Sequence, residues 1–259
     1  MRVHFIGIGG IGLSALARFL NFDGHSVSGS DMKSSSITKE LEKEGIKVSC
    51  PQEAKNISDD LDLVIYSAAV TDENPELIEA RLKQIRTLSR KEALPIILGD
   101  KKNYCVAGAH GKSTTTAILA TILQSSALIG AISKEFGSNF RYVDKTVAFE
   151  ADESDASFLL SNPYCAIVTN AEPEHMEYYH YDYDKFYESY ETFLSLAKKR
   201  VVNGEDKDIQ KLKIEDATYL YPSKDIKNLC YTLKDGQPCT KFDLKDYGTF
   251  EVWGFGFHI

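Results

Sequence analysis

Apolar and polar positions alternate through the first hundred residues in a repeating unit: a short apolar run, a polar or glycine-bearing loop, then a segment with an apolar stripe. Val3 to Ile6 reads as a buried strand, Ile11 to Asn21 as a helix, and Ser26 to Gly29 as a second strand ending at Ser30-Asp31. Ile37 to Glu44, Lys47 to Ser49, Leu63 to Tyr66 and Pro75 to Lys83 continue the alternation of short strands with amphipathic helices. The pattern predicts an α/β fold, with a mostly parallel, right-handed doubly wound sheet.

Near Leu98 to Lys102 the composition turns polar, so a domain boundary is expected there, dividing the chain into 1–100 and 101–259. The second half starts another α/β unit, with strands at Tyr104 to Ala107, Thr146 to Glu150 and Ala166 to Thr169. Helices are expected from Thr115 to Gln124 and around Asp184 to Ala197. Beyond Val201 to Asn203 the character changes: Thr218 to Tyr221, Leu229 to Leu233, Thr240 to Leu244 and Thr249 to Trp253 are short β-branched or aromatic segments between turn residues. They read as antiparallel hairpins. The expected architecture is a Rossmann-like parallel-sheet domain followed by a P-loop ATPase-type α/β domain with a β-rich C-terminal portion.

With 259 residues, 43% of them hydrophobic, the chain can bury a core in each of two domains. Its net charge of −8 and the lack of a Lys/Arg stripe argue against non-specific nucleic-acid binding, so an anionic ligand must be held by local devices. The five cysteines, Cys50, Cys105, Cys165, Cys230 and Cys239, contain no Cys-x-x-Cys pair and point to neither zinc nor redox chemistry. Arg2 followed by an apolar run and Ala15-Leu16-Ala17 superficially suggests a signal peptide, but Gly7, Gly9, Gly10 and Gly12 break that run. No stretch approaches the roughly 18 apolar residues of a membrane span. A cytoplasmic protein without a membrane partner is expected.

The stretch Gly108-Ala109-His110-Gly111-Lys112-Ser113-Thr114 leaves a predicted strand and enters a predicted helix, and reads as a phosphate-binding loop. Glycines let backbone N–H groups surround an anion, the helix terminus adds its positive dipole end, Lys112 supplies a point charge, and the Ser113 hydroxyl can hold Mg²⁺. The loop is two residues shorter than the common Walker pattern, with Val106 where that pattern needs a glycine. Gly7-Ile8-Gly9-Gly10-Ile11-Gly12 matches Gly-x-Gly-x-x-Gly between a strand and a helix, and Asp31 closes the next strand. On its residues alone it is a dinucleotide-type loop for which NAD is the ordinary ligand, a structural glycine turn being the alternative.

The acidic run Glu150-Ala151-Asp152-Glu153-Ser154-Asp155 comes off the strand Thr146 to Phe149. Carboxylates there, opposite a phosphate loop, are where an NTPase holds magnesium, the alternative being a solvated acidic turn. His175 follows Ala166 to Thr169 in a polar loop. A lone histidine is more often packed or solvent-facing than a ligand. His180, in Tyr178-Tyr179-His180-Tyr181, reads as part of an aromatic surface or helix approach, and His4 and His25 carry no assigned chemistry.

Taken together, the shortened Gly-x-x-Gly-Lys-Ser-Thr loop, the run Glu150 to Leu159 and Thr169-Asn170-Ala171-Glu172-Pro173-Glu174-His175-Met176 resemble the Mur ligases. His4 to Gly12, Gly29-Ser30-Asp31, Tyr66-Ser67-Ala68-Ala69 and Asn74-Pro75-Glu76 resemble the members of that family that act on UDP-N-acetylmuramate itself. The resemblance implies that Gly7, Gly9, Gly10, Gly12, Ser30, Asp31 and Ser67 serve a UDP-sugar rather than NAD. It implies that Gly108 to Thr114 bind ATP, that Lys112 stabilises the transferring phosphoryl group, that Ser113 and Glu150 hold one Mg²⁺ and that His175 holds a second. The implied reaction joins L-alanine to UDP-N-acetylmuramate through an acyl phosphate, in peptidoglycan precursor synthesis. Alternatives are a relative that recycles muramyl peptides and a nucleotide-binding module without turnover.

Ala109 and Ser113 stand where the family usually has threonines, and Pro173-Glu174 where Ala-Asp is usual. Family members also carry a third domain bearing the amino-acid site, and a Gly-x-His-Asn element for adenine that this chain approaches only in Gly256-Phe257-His258. The resemblance therefore implies a portion of a longer enzyme, inactive alone.

Overall fold

The computed structural model describes residues 1–254. Gly256-Phe257-His258 lie outside the described residues. The chain forms two compact units, one of Met1–Lys102 with 120–149 and 160–162, the other of 103–119, 150–159 and the remainder from Pro163.

The first unit opens with β1 (Arg2–Ile6), α1 (Ile11–Phe22), β2 (Ser26–Ser30), α2 (Ser36–Lys43), β3 (Lys47–Ser49), β4 (Leu63–Tyr66), α3 (Pro75–Leu82), β5 (Arg86–Ser89) and α4 (Arg90–Leu98). Its sheet runs in the order β3-β2-β1-β4-β5, parallel throughout. Strand order therefore reverses at β1, which puts the glycine loop after β1 beside Ser67 at the end of β4, the crevice where open α/β sheets bind ligands. Val3, Phe5, Val64 and Ile65 are fully buried, as expected for strands covered on both faces.

Helix termini separate the structural from the available. Ser35 and Ser89 form capping boxes on α2 and α4, and Asn74 accepts from the first N–H groups of α3. The N-cap of α1 is Gly10, with no side-chain cap, so the first N–H groups of that helix are left for another acceptor.

The chain continues through β6 (Lys102–Ala107), α5 (Lys112–Leu123), β7 (Ser126–Ser133), β8 (Ser138–Arg141) and β9 (Thr146–Glu150). β7 pairs antiparallel with β8 and parallel with β9. The sequence pattern does not predict β7 and β8, because Ser126 to Ser133 mixes small residues without clear alternation. They join the first unit because α1 packs on them, with Phe22 against Phe140 at 5.5 Å between ring centres.

In the second unit β6 is joined by β10 (Pro163–Val168), β11 (Lys199–Asn203) and β12 (Thr218–Leu220), with α6 (Tyr183–Leu196) between β10 and β11. β10 pairs parallel with β6 and β11, and β11 pairs parallel with β12. The last pairing corrects the expectation of a hairpin at Thr218 to Tyr221: the connection from β11 runs through a 3₁₀ turn at Ile209–Lys211 and returns as a crossover. The remaining β-rich segment forms the expected antiparallel meander, β13 (Ile226–Lys234), β14 (Gln237–Leu244) and β15 (Gly248–Trp253). Among the described residues no helix is long and apolar enough to cross a membrane. All five cysteines are free.

Candidate functional site

The glycine loop of the first unit is held by its own backbone and by one carboxylate. Gly7 and Ile8 N–H donate to the Ser30 carbonyl at 2.8 and 2.9 Å, and Gly9 N–H donates to Asp31 Oδ2 at 2.9 Å. Gly7 has φ +83°, which favours glycine, and a Cβ on Gly9 would lie 2.8 Å from Asp31 Oδ2, so a side chain there would displace the carboxylate. Gly7, Gly10, Asp31, Met32, Ser67 and Asn74 border a cleft of about 480 Å³.

Ser30 is fully buried, and its hydroxyl donates to Glu76 Oε2 rather than facing that cleft. Glu76, also fully buried, accepts from Asn56 Nδ2 at 2.6 Å and lies 3.5 Å from His4 Nε2, while His4 Nδ1 meets Ser28 Oγ at 3.0 Å. Burial alone would raise the Glu76 carboxyl, but the His4 imidazole beside it and hydrogen bonds from Ser30 and Asn56 outweigh it and hold the group below its ordinary range. His4 therefore has a structural role that its isolated place in the sequence does not disclose.

Arg90 is a residue that sequence reasoning missed. A Cβ on Gly12 would sit 3.1 Å from Arg90 Nε, and that nitrogen is buried without a hydrogen-bond partner. The guanidinium thus approaches α1 close to its uncapped start. Its place directly after the Ser89 cap of α4 is the local signal that could have drawn attention to it.

In the second unit Gly108 (φ +138°) and Gly111 (φ +81°) turn the phosphate loop into α5. A Cβ on Gly108 would collide with Thr169 Oγ1 at 2.4 Å, because β10 delivers Thr169-Asn170 directly beneath the loop. Asn170 Oδ1 accepts from the His110 N–H at 3.0 Å, and Thr169 Oγ1 and Asn170 Nδ2 donate to the His110 carbonyl at 2.7 and 2.8 Å. The His110 ring lies 3.5 Å from Glu172 and 3.4 Å from Glu174.

The acidic run meets this loop. Ala151 N–H donates to the Val106 carbonyl at 2.9 Å, which sets Glu150 beside the loop, and Ser113 Oγ donates to Glu150 Oε1 at 3.0 Å. A hydroxyl and a carboxylate at that separation form a hard-oxygen pair suited to Mg²⁺. Lys112 Nζ donates to the Gly108 carbonyl at 2.6 Å and to Glu153 Oε1 at 2.8 Å. Burial pushes the Glu153 carboxyl up, against the opposing pull of Lys112. His175 is exposed in a turn at φ +52°, its carbonyl accepting from Tyr178 N–H, and no side-chain bond joins it to Ser113 or Glu150. The structure thus assembles two of the three metal-ligand candidates. Among the described residues no group of three His, Cys, Asp or Glu side chains is arranged to hold a metal.

Tyr179, in the stretch around His180 that reads as an aromatic surface or helix approach, is buried and donates to the Glu153 carbonyl at 2.6 Å. Burial raises its hydroxyl to about 12. Four tyrosines within six positions, Tyr178, Tyr179, Tyr181 and Tyr183, make a surface and a core anchor indistinguishable until α6 packs behind them.

The family model described as "Mur ligase family, catalytic domain" matches residues 2–102. The chain is 57% identical to a UDP-N-acetylmuramate--L-alanine ligase of Campylobacter curvus, over 100% of this chain and 59% of that protein. It is 49% identical to the protein of the same description from Helicobacter pylori, over 99% of this chain and 57% of the other. A crystal structure of UDP-N-acetylmuramate-alanine ligase from Thermotoga maritima aligns with TM-score 0.82 and 29% identity, covering 100% of this chain and 62% of that one. The chain spans about 60% of the length of these curated relatives.

Proposed function

The chain belongs to the Mur ligase family, and on that premise we propose that it forms the UDP-sugar-binding and ATP-binding portion of a UDP-N-acetylmuramate:L-alanine ligase acting in cytoplasmic peptidoglycan precursor synthesis. The observation that carries the reading is the meeting of Ser113 with Glu150 at 3.0 Å, beside a lysine-bearing phosphate loop. The sugar nucleotide is assigned to the other loop, where the uncapped start of α1 and Arg90 offer N–H groups and a cation to a diphosphate.

In this reading the Gly108–Thr114 backbone and Lys112 hold the triphosphate, and Ser113 and Glu150 hold Mg²⁺. ATP, when bound, supplies the phosphoryl group that activates the lactyl carboxylate for attack by the L-alanine amine. Lys112 stabilises charge on that group in transit, since such transfers are catalysed mainly by positioning and electrostatics. Thr169 and Asn170 keep the loop in shape through the His110 peptide. His175 is proposed as a further metal ligand, which requires its exposed turn to close on the site.

Calorimetry tests the proposal. The chain should bind UDP-N-acetylmuramate and ATP·Mg²⁺ at separate sites. Binding of NADH without the UDP-sugar would overturn it. In the enzyme that contains this chain, a preference for a muramyl tripeptide over L-alanine would assign it to peptide recycling instead.

A further inference from the structure

Lys112 is fully engaged in its loop. Besides Gly108 O at 2.6 Å and Glu153 Oε1 at 2.8 Å, it reaches Ala109 O at 3.4 Å. Glu153 is only 1% exposed, and its other oxygen, Oε2, is buried with no hydrogen-bond partner. A carboxylate so placed relies on the ammonium for its neutralisation. Its backbone is also held in place. Tyr179 fixes its carbonyl at 2.6 Å, Phe158 N–H donates to the Asp152 carbonyl at 2.9 Å, and Phe158 stacks on Phe193.

We propose that Glu153 is a positioning residue that competes with nucleotide phosphate for the Lys112 ammonium, serving as the loop's counter-anion before nucleotide enters. The inference rests on the ATP reading above. One ammonium has three donors, and two anions gathered on it at contact distance repel each other. Entry of phosphate therefore loosens the Glu153 contact and loses part of its own binding energy in doing so. Because the lysine of such a loop reaches the β- and γ-phosphates, the penalty falls on polyphosphates and spares a monophosphate. Glu153 thereby keeps the empty loop neutral and moderates its hold on ATP and ADP.

The test is calorimetry of ATP·Mg²⁺, ADP·Mg²⁺ and AMP on the unchanged chain, Glu153→Gln, Lys112→Met and the double variant, with higher nucleotide concentrations where Lys112 is replaced. Glu153→Gln should bind ATP and ADP about tenfold more tightly, the size of one charge-assisted hydrogen bond, with AMP unchanged. The gain should vanish in the Lys112→Met background. A purely structural Glu153 would give a lower melting temperature with unchanged or weaker binding, and that result overturns the proposal, as does a gain that survives loss of Lys112. Should Glu153→Gln fail to fold by circular dichroism, Glu153→Asp keeps the charge but draws it back from Nζ. A smaller gain confined to ATP and ADP is then expected, and no gain overturns the proposal. Failure of the unchanged chain to bind ATP overturns the nucleotide reading and this inference with it, whereas ATP binding without a gain removes the inference alone.

Discussion

The Arg18 guanidinium donates to Asn139 Oδ1 at 2.9 Å, and both residues are 3% exposed. Arg18 lies on α1 and Asn139 on β8, far apart in the chain. Asn139 Nδ2 in turn donates to the Ile11 carbonyl at 2.5 Å and to Ser14 Oγ at 3.2 Å, and Arg18 Nε is held by Glu44 at 2.7 Å. The start of the helix that follows the glycine loop is thus tied down from outside its own sheet. Removing Asn139 would leave a buried guanidinium N–H unpaired, while the Ile11 carbonyl keeps the Ser14 hydroxyl as donor. Asn139→Ala should lower unfolding free energy by about 2 kcal/mol, measured by urea denaturation. An unchanged midpoint and slope would show that the network contributes nothing.

Glu76 sets an acid limit on stability. Its carboxyl titrates below the ordinary value of 4.5 in the folded protein, so the folded state binds fewer protons than the unfolded chain. The resulting stabilisation is fully present above about pH 4.5 and is lost as pH falls through the lower folded value. Glu76→Gln should flatten that part of the stability–pH curve. It should also lower the melting temperature at neutral pH, because His4, Ser30 and Asn56 lose a charged acceptor. An acid limb as steep in the variant as in the parent would assign the effect to other carboxylates.

A side chain at Gly9 would crowd the Asp31 carboxylate. Gly9→Ala would place Cβ 2.8 Å from Asp31 Oδ2 and push the carboxylate off the loop N–H it accepts from. UDP-N-acetylmuramate affinity should fall at least about tenfold while ATP·Mg²⁺ affinity is retained, both read by calorimetry. Gly24→Ala, with open space around the added methyl, serves as the control for substitution at a glycine, although its φ of +88° makes it somewhat strained.

Glu150 and Lys112 should separate by their dependence on metal. Glu150→Gln is expected to weaken ATP binding about tenfold in Mg²⁺ and much less in EDTA, because only the metal-dependent part passes through the carboxylate. On the proposed function, Lys112→Ala should weaken ATP binding in both conditions and abolish ligase turnover. Near-normal turnover would remove Lys112 from the proposed chemistry.

Much of the candidate site was legible along the chain because its parts are local. A strand, a glycine turn and a helix start lie within a dozen residues at both Gly7 to Gly12 and Gly108 to Thr114, and the backbone geometry they need follows from their immediate neighbours. The alternation of strands and helices as far as Lys83 was equally readable, whereas β5 and α4 were not marked in the sequence pattern. The central strands β1 and β4 are buried on both faces and leave near-continuous apolar runs. Where small residues replace that run, as in β7, or where parallel and antiparallel pairing depend on what lies across the sheet, as in β12, periodicity carries no answer.

Residue identity and order alone determined the α/β class, the two glycine-bearing strand-to-helix turns and the family resemblance. Folding alone decided how the side chains are spent. The Ser30 hydroxyl goes to Glu76 instead of the cleft, Glu153 takes Lys112, Ser113 finds Glu150, and Asn139 reaches back to Ile11. Each of these pairs joins segments distant in sequence. A polar group's partner is chosen by which acceptors remain unmatched once apolar packing has brought the segments together and excluded water, and that choice is not encoded in any local spacing.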